Sequence, residues 1–386
     1  MTTKKPLQSN LRLTVVFAAV VLLVAAIRPV RSHLRAAGLL LRFADEHATG
    51  VVADFGRRPV TEELTTIHTE HGEERGRLYL PDGAARGSPG VVVVHGVHRL
   101  GIDEPRLIRF ARAIAATGLA VLTPEVREIA DYRVDPRSIE TIGGAARALE
   151  ARLGSGRPGV MGMSFAGGLS LLAAGDPRFK ADVGFVVAVG AHHDLGRVAR
   201  FFATDREALA GGGEQTLKAH QYGALVLVYG SVERFFAPDD VPAARDALRL
   251  WLWEKADDAR ARAEALSPEG WAKVDALFSG EVALVAPEIL AEAAEAEDEM
   301  ARVSPHGHLA DLAAPVFLLH GEGDTVIPAA ETGWIAAEVP PRLLKGSLVS
   351  PAVVHVELGP QATFADQWAL VHFMASVLEQ ADLAWI

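Results

Sequence analysis

Gly159-Val160-Met161-Gly162-Met163-Ser164-Phe165-Ala166-Gly167-Gly168 is the stretch from which the rest of the chain can be read. Apolar residues run up to Ser164 with strand character and resume directly after it with helix character. A serine in so tight a strand-to-helix turn takes a strained backbone and presents its hydroxyl outward. Strand and helix pass close together there, so the serine needs small neighbours. Gly162 lies two residues before it and Ala166 two after. The usual pattern is G-x-S-x-G, so the alanine is a departure, and Gly167 and Gly168 keep the helix thin just beyond it.

Outward from this turn, apolar strands alternate with helices. Strands are predicted over Thr61–His68, Arg77–Leu80, Val91–His95, Leu119–Thr123, Gly159–Met163, Asp182–Val189, Val316–His320 and Leu343–Ser350. Helices are predicted over Pro105–Thr117, Ile139–Leu153, Phe165–Ala174, Thr332–Val339 and Phe364–Leu378. Short, fully apolar strands separated by helices imply a mostly parallel central sheet with helices on both faces. Residues 196–311 interrupt this rhythm. A segment of more than 100 residues cannot be a bare loop, so it is read as a helical cap inserted in the domain. Ala243–Leu266 has helical spacing, and Ala224–Tyr229 reads as either strand or helix.

These features resemble the α/β-hydrolase fold superfamily over roughly residues 61–380. The resemblance implies a chain order of nucleophile, acid and histidine. Ser164 is then the nucleophile, Asp324 the acid after strand Val316–His320, and His355 the base after the last strand. Asp194 and Glu322 are weaker candidates for the acid. His372 sits mid-helix between Val371 and Phe373, a packing position by pattern. The oxyanion hole would use the backbone N–H groups of Val97 and Phe165, with His98 and Arg99 as candidate pocket residues and His95 supporting the loop. The implied chemistry is cleavage of a carboxylic ester of a small molecule through an acyl-enzyme. The same triad serves thioesterases and peptidases. The reading from another class is a catalytically silent binding protein on the same fold.

Composition narrows the partners. The chain has 386 residues, 49% hydrophobic and 23% charged, so a mainly disordered protein is excluded. Its net charge is −11, and the first sixty residues hold nine basic against three acidic residues. The remainder is strongly acidic, a poor footprint for nucleic acid. With no cysteine, thiolate metal sites and cysteine nucleophiles are excluded. His192-His193-Asp194 and Pro305-His306-Gly307-His308 invite a metal reading, but zinc needs three well-placed ligands and no further cluster in the sequence completes a set. Neither cofactor nor metal is expected, and the oligomeric state is left open. Leu13–Ile27 is a charge-free apolar run preceded by Lys4, Lys5 and Arg12 and followed by Arg28, Arg31 and Arg35. Residues 1–34 are read as a membrane anchor, or as a signal segment removed on secretion. Arg35–Glu46 is read as the amphipathic helix of a linking segment over residues 35–60, and residues 61–386 form the main domain.

Overall fold

The structure is a computed structural model and describes residues 27–154, 156–354, 357–358 and 362–384. A helix over residues 27–44 (α1) precedes the sheet. Eight strands then make one sheet: β1 (Val60–Thr69), β2 (Gly72–Pro81), β3 (Gly90–Val94), β4 (Ala120–Pro124), β5 (Gly159–Met163), β6 (Phe185–Val189), β7 (Val316–Gly321) and β8 (Leu344–Ser350). Their spatial order is β1-β2-β4-β3-β5-β6-β7-β8. β2 is antiparallel to both β1 and β4. Every other pair is parallel, which requires the crossover connections that the helical segments supply.

Pleating divides the core in two. In β3, Val92 and Val94 face one apolar cluster with helices α3 (Arg137–Leu153) and α4 (Phe165–Gly175), while Val91 and Val93 face the other. The second face is covered by α1, by α2 (Pro105–Ala115) and by the C-terminal helix Phe364–Leu383. All five residues of β3 are buried, and so are all five of β6. That explains why these strands read as unbroken apolar runs rather than alternating ones.

The segment between β6 and β7 is a helical cap. It holds α5 (Leu195–Thr204), α6 (Gln221–Gly230), α7 (Val241–Leu252), α8 (Ala256–Ala263), α9 (Pro268–Ser279) and α10 (Ala286–Glu295). The ambiguous run Ala224–Tyr229 is helical, within α6. Gly212 and Gly213, both at positive φ, turn a two-strand hairpin, Arg206–Ala208 with Glu214–Thr216. The helix predicted over Ala243–Leu266 breaks into α7 and α8 at Glu254, which sits at φ 62°. After β7 come α11 (Ala330–Glu338) and, beyond β8, the C-terminal helix α12 (Phe364–Leu383).

Two expectations shift. The chain is already helical at residue 27, so the boundary between residues 34 and 35 falls inside α1. Ala36 and Leu39 are fully buried, and Arg35 pairs with Asp382 of α12 at 2.6 Å. His372 is not a packing residue. The buried stripe of α12 runs through Leu370, Phe373, Met374 and Val377, and His372 falls beside it, exposed, with Nδ1 3.0 Å from Nε2 of His33 in α1. The apolar run Leu13–Ile27 lies outside the described residues apart from Ile27. Among the described residues no helix is long and apolar enough to cross a membrane.

Candidate active site

Ser164 links β5 to α4 at φ 58° and ψ −133°. A non-glycine residue there costs about 1–3 kcal/mol and persists only where its surroundings hold it. The surroundings here are explicit. Ser164 N–H donates to the Val189 carbonyl at 2.7 Å, and Gly167 N–H donates to the Ser164 carbonyl at 2.8 Å. A Cβ at Gly162 would stand 2.2 Å from the Ala166 carbonyl oxygen and 2.4 Å from Ser170 Oγ, so β5 and α4 could not close around any larger residue. The departure at Ala166 is accommodated: its side chain is fully buried. The tight contacts fall one and two positions later. A Cβ at Gly167 would meet Ala191 Cβ at 2.7 Å, and one at Gly168 would meet His192 Cε1 at 2.4 Å.

The loop after β3 lies against the serine. A Cβ on Gly96 would be 3.6 Å from Ser164 Cβ, which brings the backbone of Gly96 and Val97 beside the nucleophile. Phe165 opens α4, where a backbone N–H has no acceptor within the helix. Val97 and Phe165 thus both lie in segments next to Ser164, one in the loop after β3 and one at the start of α4. His95 holds the loop from below. Its Nε2 accepts from Val126 N–H at 3.0 Å, so Nδ1 carries the proton and donates to the Gly96 carbonyl at 2.8 Å. Burial lowers the pKa of His95 to about 4, so it stays neutral.

Ser164 is 3% exposed and lies under the cap, facing a cavity of about 400 Å³. Gly96, Val97, His98 and Met163 share that wall. His98 thus stands where the sequence places it, with Nδ1 accepting from Leu100 N–H at 3.3 Å and its pKa lowered by burial. Arg99 does not join it: its side chain is exposed, and its backbone N–H donates to Tyr132 Oη at 3.3 Å. Asp324 follows β7 and is buried, with Oδ1 accepting from Val326 N–H at 2.8 Å and Ile327 N–H at 3.1 Å. Its Oδ2 lies 3.4 Å from His320 Nε2. Val326 also lines the cavity, as does Val354, the residue before His355. His355 itself lies outside the described residues. The weaker acids are placed elsewhere: Glu322 is exposed, and Asp194 caps α5 by accepting from Arg197 N–H at 2.9 Å.

Several lining residues carry no sequence signal. Tyr222 comes from the cap and donates its hydroxyl to the Val97 carbonyl at 2.9 Å, and burial raises its pKa. Phe43 comes from α1, Arg106 and Phe110 from α2, and Glu254 from the turn between α7 and α8. They come from four separate segments, and only the tertiary fold brings them together.

Of the histidines considered for a metal, His192 stands apart from the others. His192 turns to the Val303 carbonyl at 2.8 Å. His193, His306 and Glu338 do gather, with ligand atoms within 4.8 Å of one another, a third partner from α11 that the sequence does not reveal. Arg197 donates to His193 Nδ1 at 3.0 Å, so Nε2 is the protonated nitrogen and donates to Glu338 at 2.7 Å. In that tautomer Nε2 has no lone pair for a cation.

No protein-family model and no curated protein matches the chain. Among solved structures, it is similar to an esterase of Pyrobaculum calidifontis, with 17% identity over 92% of this chain and 90% of that one, TM-score 0.42. It is also similar to brefeldin A esterase, a bacterial homologue of human hormone-sensitive lipase, at 18% identity over 91% and 83%, TM-score 0.45. A third is the acylaminoacyl peptidase of Pyrococcus horikoshii, at 12% identity, 82% of this chain and TM-score 0.45. The chain spans 40% of that peptidase's length. These are likenesses of fold. The strand order, the crossovers and the serine turn are those of the α/β-hydrolase fold, with a helical cap.

The neutral, buried His95 gives the loop a pH signature. Its folded-state pKa is depressed, so its contribution is complete above the unfolded value of about 6.5 and is lost as pH falls from there towards 4. Denaturant unfolding at pH 7.5 and pH 4.5 should show His95→Gln losing on the order of 2–3 kcal/mol less than wild type over that interval. Equal losses in the two proteins would refute the assignment.

Proposed function

We propose that this protein is a serine hydrolase that cleaves a carboxylic ester of a small molecule through an acyl-enzyme. The observation that carries the reading is the strained Ser164 backbone, positioned with the Gly96–Val97 loop against it in one cavity. Ser164 Oγ attacks the carbonyl carbon. His355 takes the hydroxyl proton and passes it to the leaving alcohol, and Asp324 orients the imidazole and stabilises its charged form. The N–H groups of Val97 and Phe165 receive the oxyanion. Water, deprotonated by His355, then releases the acid. Support for Asp324 comes from its burial and from its placement beside Val326, and support for His355 from Val354 at the cavity edge. The silent-fold reading rests on Ala166 and on the absence of a histidine shortly before the last helix; the fully buried fit of Ala166 weakens the first of these.

We further propose that residues 13–27 insert into a membrane. Arg28, Arg31 and Arg58 line one cleft with Ser88 and Gly118, which precede β3 and β4; Glu379 and the Asp382 paired with Arg35 line it too. That is the edge where the parallel strands begin, whereas Ser164 follows the end of β5. The reading therefore puts basic side chains towards lipid headgroups and the catalytic cavity away from them. Deleting residues 1–26 should move the protein from the membrane pellet to the supernatant while esterase activity is retained. A truncated protein that still pellets in folded form would oppose the anchor.

For the reaction itself, Ser164→Ala should lower kcat by on the order of 10⁴-fold or more with the fold intact. His355→Ala should lose most activity together with the acid limb of the pH–rate profile, which in wild type should lie near the imidazole reference of about 6.5. A His355→Ala enzyme with near-wild-type kcat would reject the triad, and His98 would be the next base to test.

A further inference from the structure

Met163, in the wall of the Ser164 cavity, also borders another space. A second, smaller space of about 50 Å³ lies on the face of the sheet covered by α1, α2 and α12. Phe43, Phe110 and Met163 line both spaces. Every residue around the smaller one is apolar, among them Leu40 of α1 and Leu370 and Met374 of α12. Space of this kind holds no water, since a water needs two or more polar partners, and it accepts apolar groups instead.

The shared wall is well fixed. The rings of Phe43 and Phe110 lie 4.9 Å apart at 58°, a geometry that favours aromatic pairs. The guanidinium carbon of Arg109 sits 5.6 Å from the centre of the Phe43 ring. Elsewhere the main cavity is also largely apolar, lined by Val97, Leu107, Val326 and Val354. Its polar groups are few: His98, Arg106 and Glu254 reach it from the loop after β3, from α2 and from the cap. Beyond the hydrocarbon wall the cavity thus offers a small number of hydrogen-bonding side chains.

We propose that the recess beyond Met163 receives a compact hydrocarbon arm of the ester, and that Phe43 of the N-terminal helix sets the length of arm accepted. This rests on the serine-hydrolase reading above and adds the substrate class: an amphipathic ester with a short aliphatic arm and a polar second arm. The recess volume is less than about two waters' share of liquid, so the arm can exceed the main cavity by only one or two carbons. A long-chain lipid ester does not fit this wall.

Two series of probes test it: p-nitrophenyl esters of straight-chain acids, and n-alkyl acetates. In one series kcat/KM should rise with chain length and then fall by about tenfold or more per added methylene. Phe43→Ala should move that optimum to a longer chain, and Met374→Phe, which fills the recess, should move it to a shorter one. The pre-steady-state burst of p-nitrophenol reports the serine chemistry separately. Profiles that superimpose in all three proteins, with bursts intact, would overturn the recess while leaving the hydrolase reading in place. Absence of both p-nitrophenyl ester turnover and a fluorophosphonate adduct on Ser164 in every protein would sink the hydrolase reading instead. The recess is then judged without chemistry, by thermal stabilisation of Ser164→Ala with 1-hexanol. Stabilisation that Met374→Phe abolishes would support it. No stabilisation, or stabilisation that Met374→Phe leaves unchanged, would overturn it.

Discussion

A side-chain carbon at position 162 would collide with the carbonyl oxygen of Ala166 at 2.2 Å. That single close approach, between the last turn of β5 and the first turn of α4, is what the candidate site depends on. It requires glycine at position 162, beside a turn in which Ser164 adopts φ 58°. The strain is offset by hydrogen bonds to neighbours already fixed by the sheet, chiefly the Val189 carbonyl at the end of β6. The serine is thereby placed beside the loop after β3, the strand on the other side of β5. Ser164 and the Gly96–Val97 loop are thus set at the ends of adjacent parallel strands.

The cap is coupled to that machinery as well as covering it. Tyr222 of α6 donates to the Val97 carbonyl at 2.9 Å. In the other direction, Tyr132 of the main domain donates to the Leu252 carbonyl at the end of α7 at 2.8 Å while accepting from Arg99 N–H. The Val97–Arg99 loop is thus clamped between domain and cap by two tyrosine hydroxyls. The N-terminal helix adds a further constraint. Through Phe43 it forms part of the cavity wall, and through Arg35 it is tied to α12. Substrate space is therefore shaped by segments far from the triad in sequence.

Much of this was legible in the sequence, and the reasons are physical. β3 and β5–α4 are buried on both faces, so their apolar runs mark both the elements and the turn between them. Asp324 was singled out from its place just after an apolar strand, and it is buried there. What the sequence hid was contributed through space. Tyr222 sits in an apolar helix that could equally be read as a strand, and nothing local distinguishes its hydroxyl from a packing one. Glu338 joins His193 and His306 across elements, so sequence clusters alone could not complete that set. His372 was misread because its apolar neighbours suggested burial, whereas the 3.6-residue period of α12 carries the buried stripe past it. The break at Glu254 was missed because the segment keeps helical composition across a left-handed residue.

The central claim is that Ser164 is an activated nucleophile in a prepared oxyanion site. The most direct measurement is intact-protein mass spectrometry after incubation with an alkyl fluorophosphonate, followed by peptide mapping. The account predicts one adduct per chain, located on Ser164, formed by the folded protein and lost on denaturation before exposure to the reagent. No adduct on the folded protein, or an adduct carried by a different residue, would contradict it.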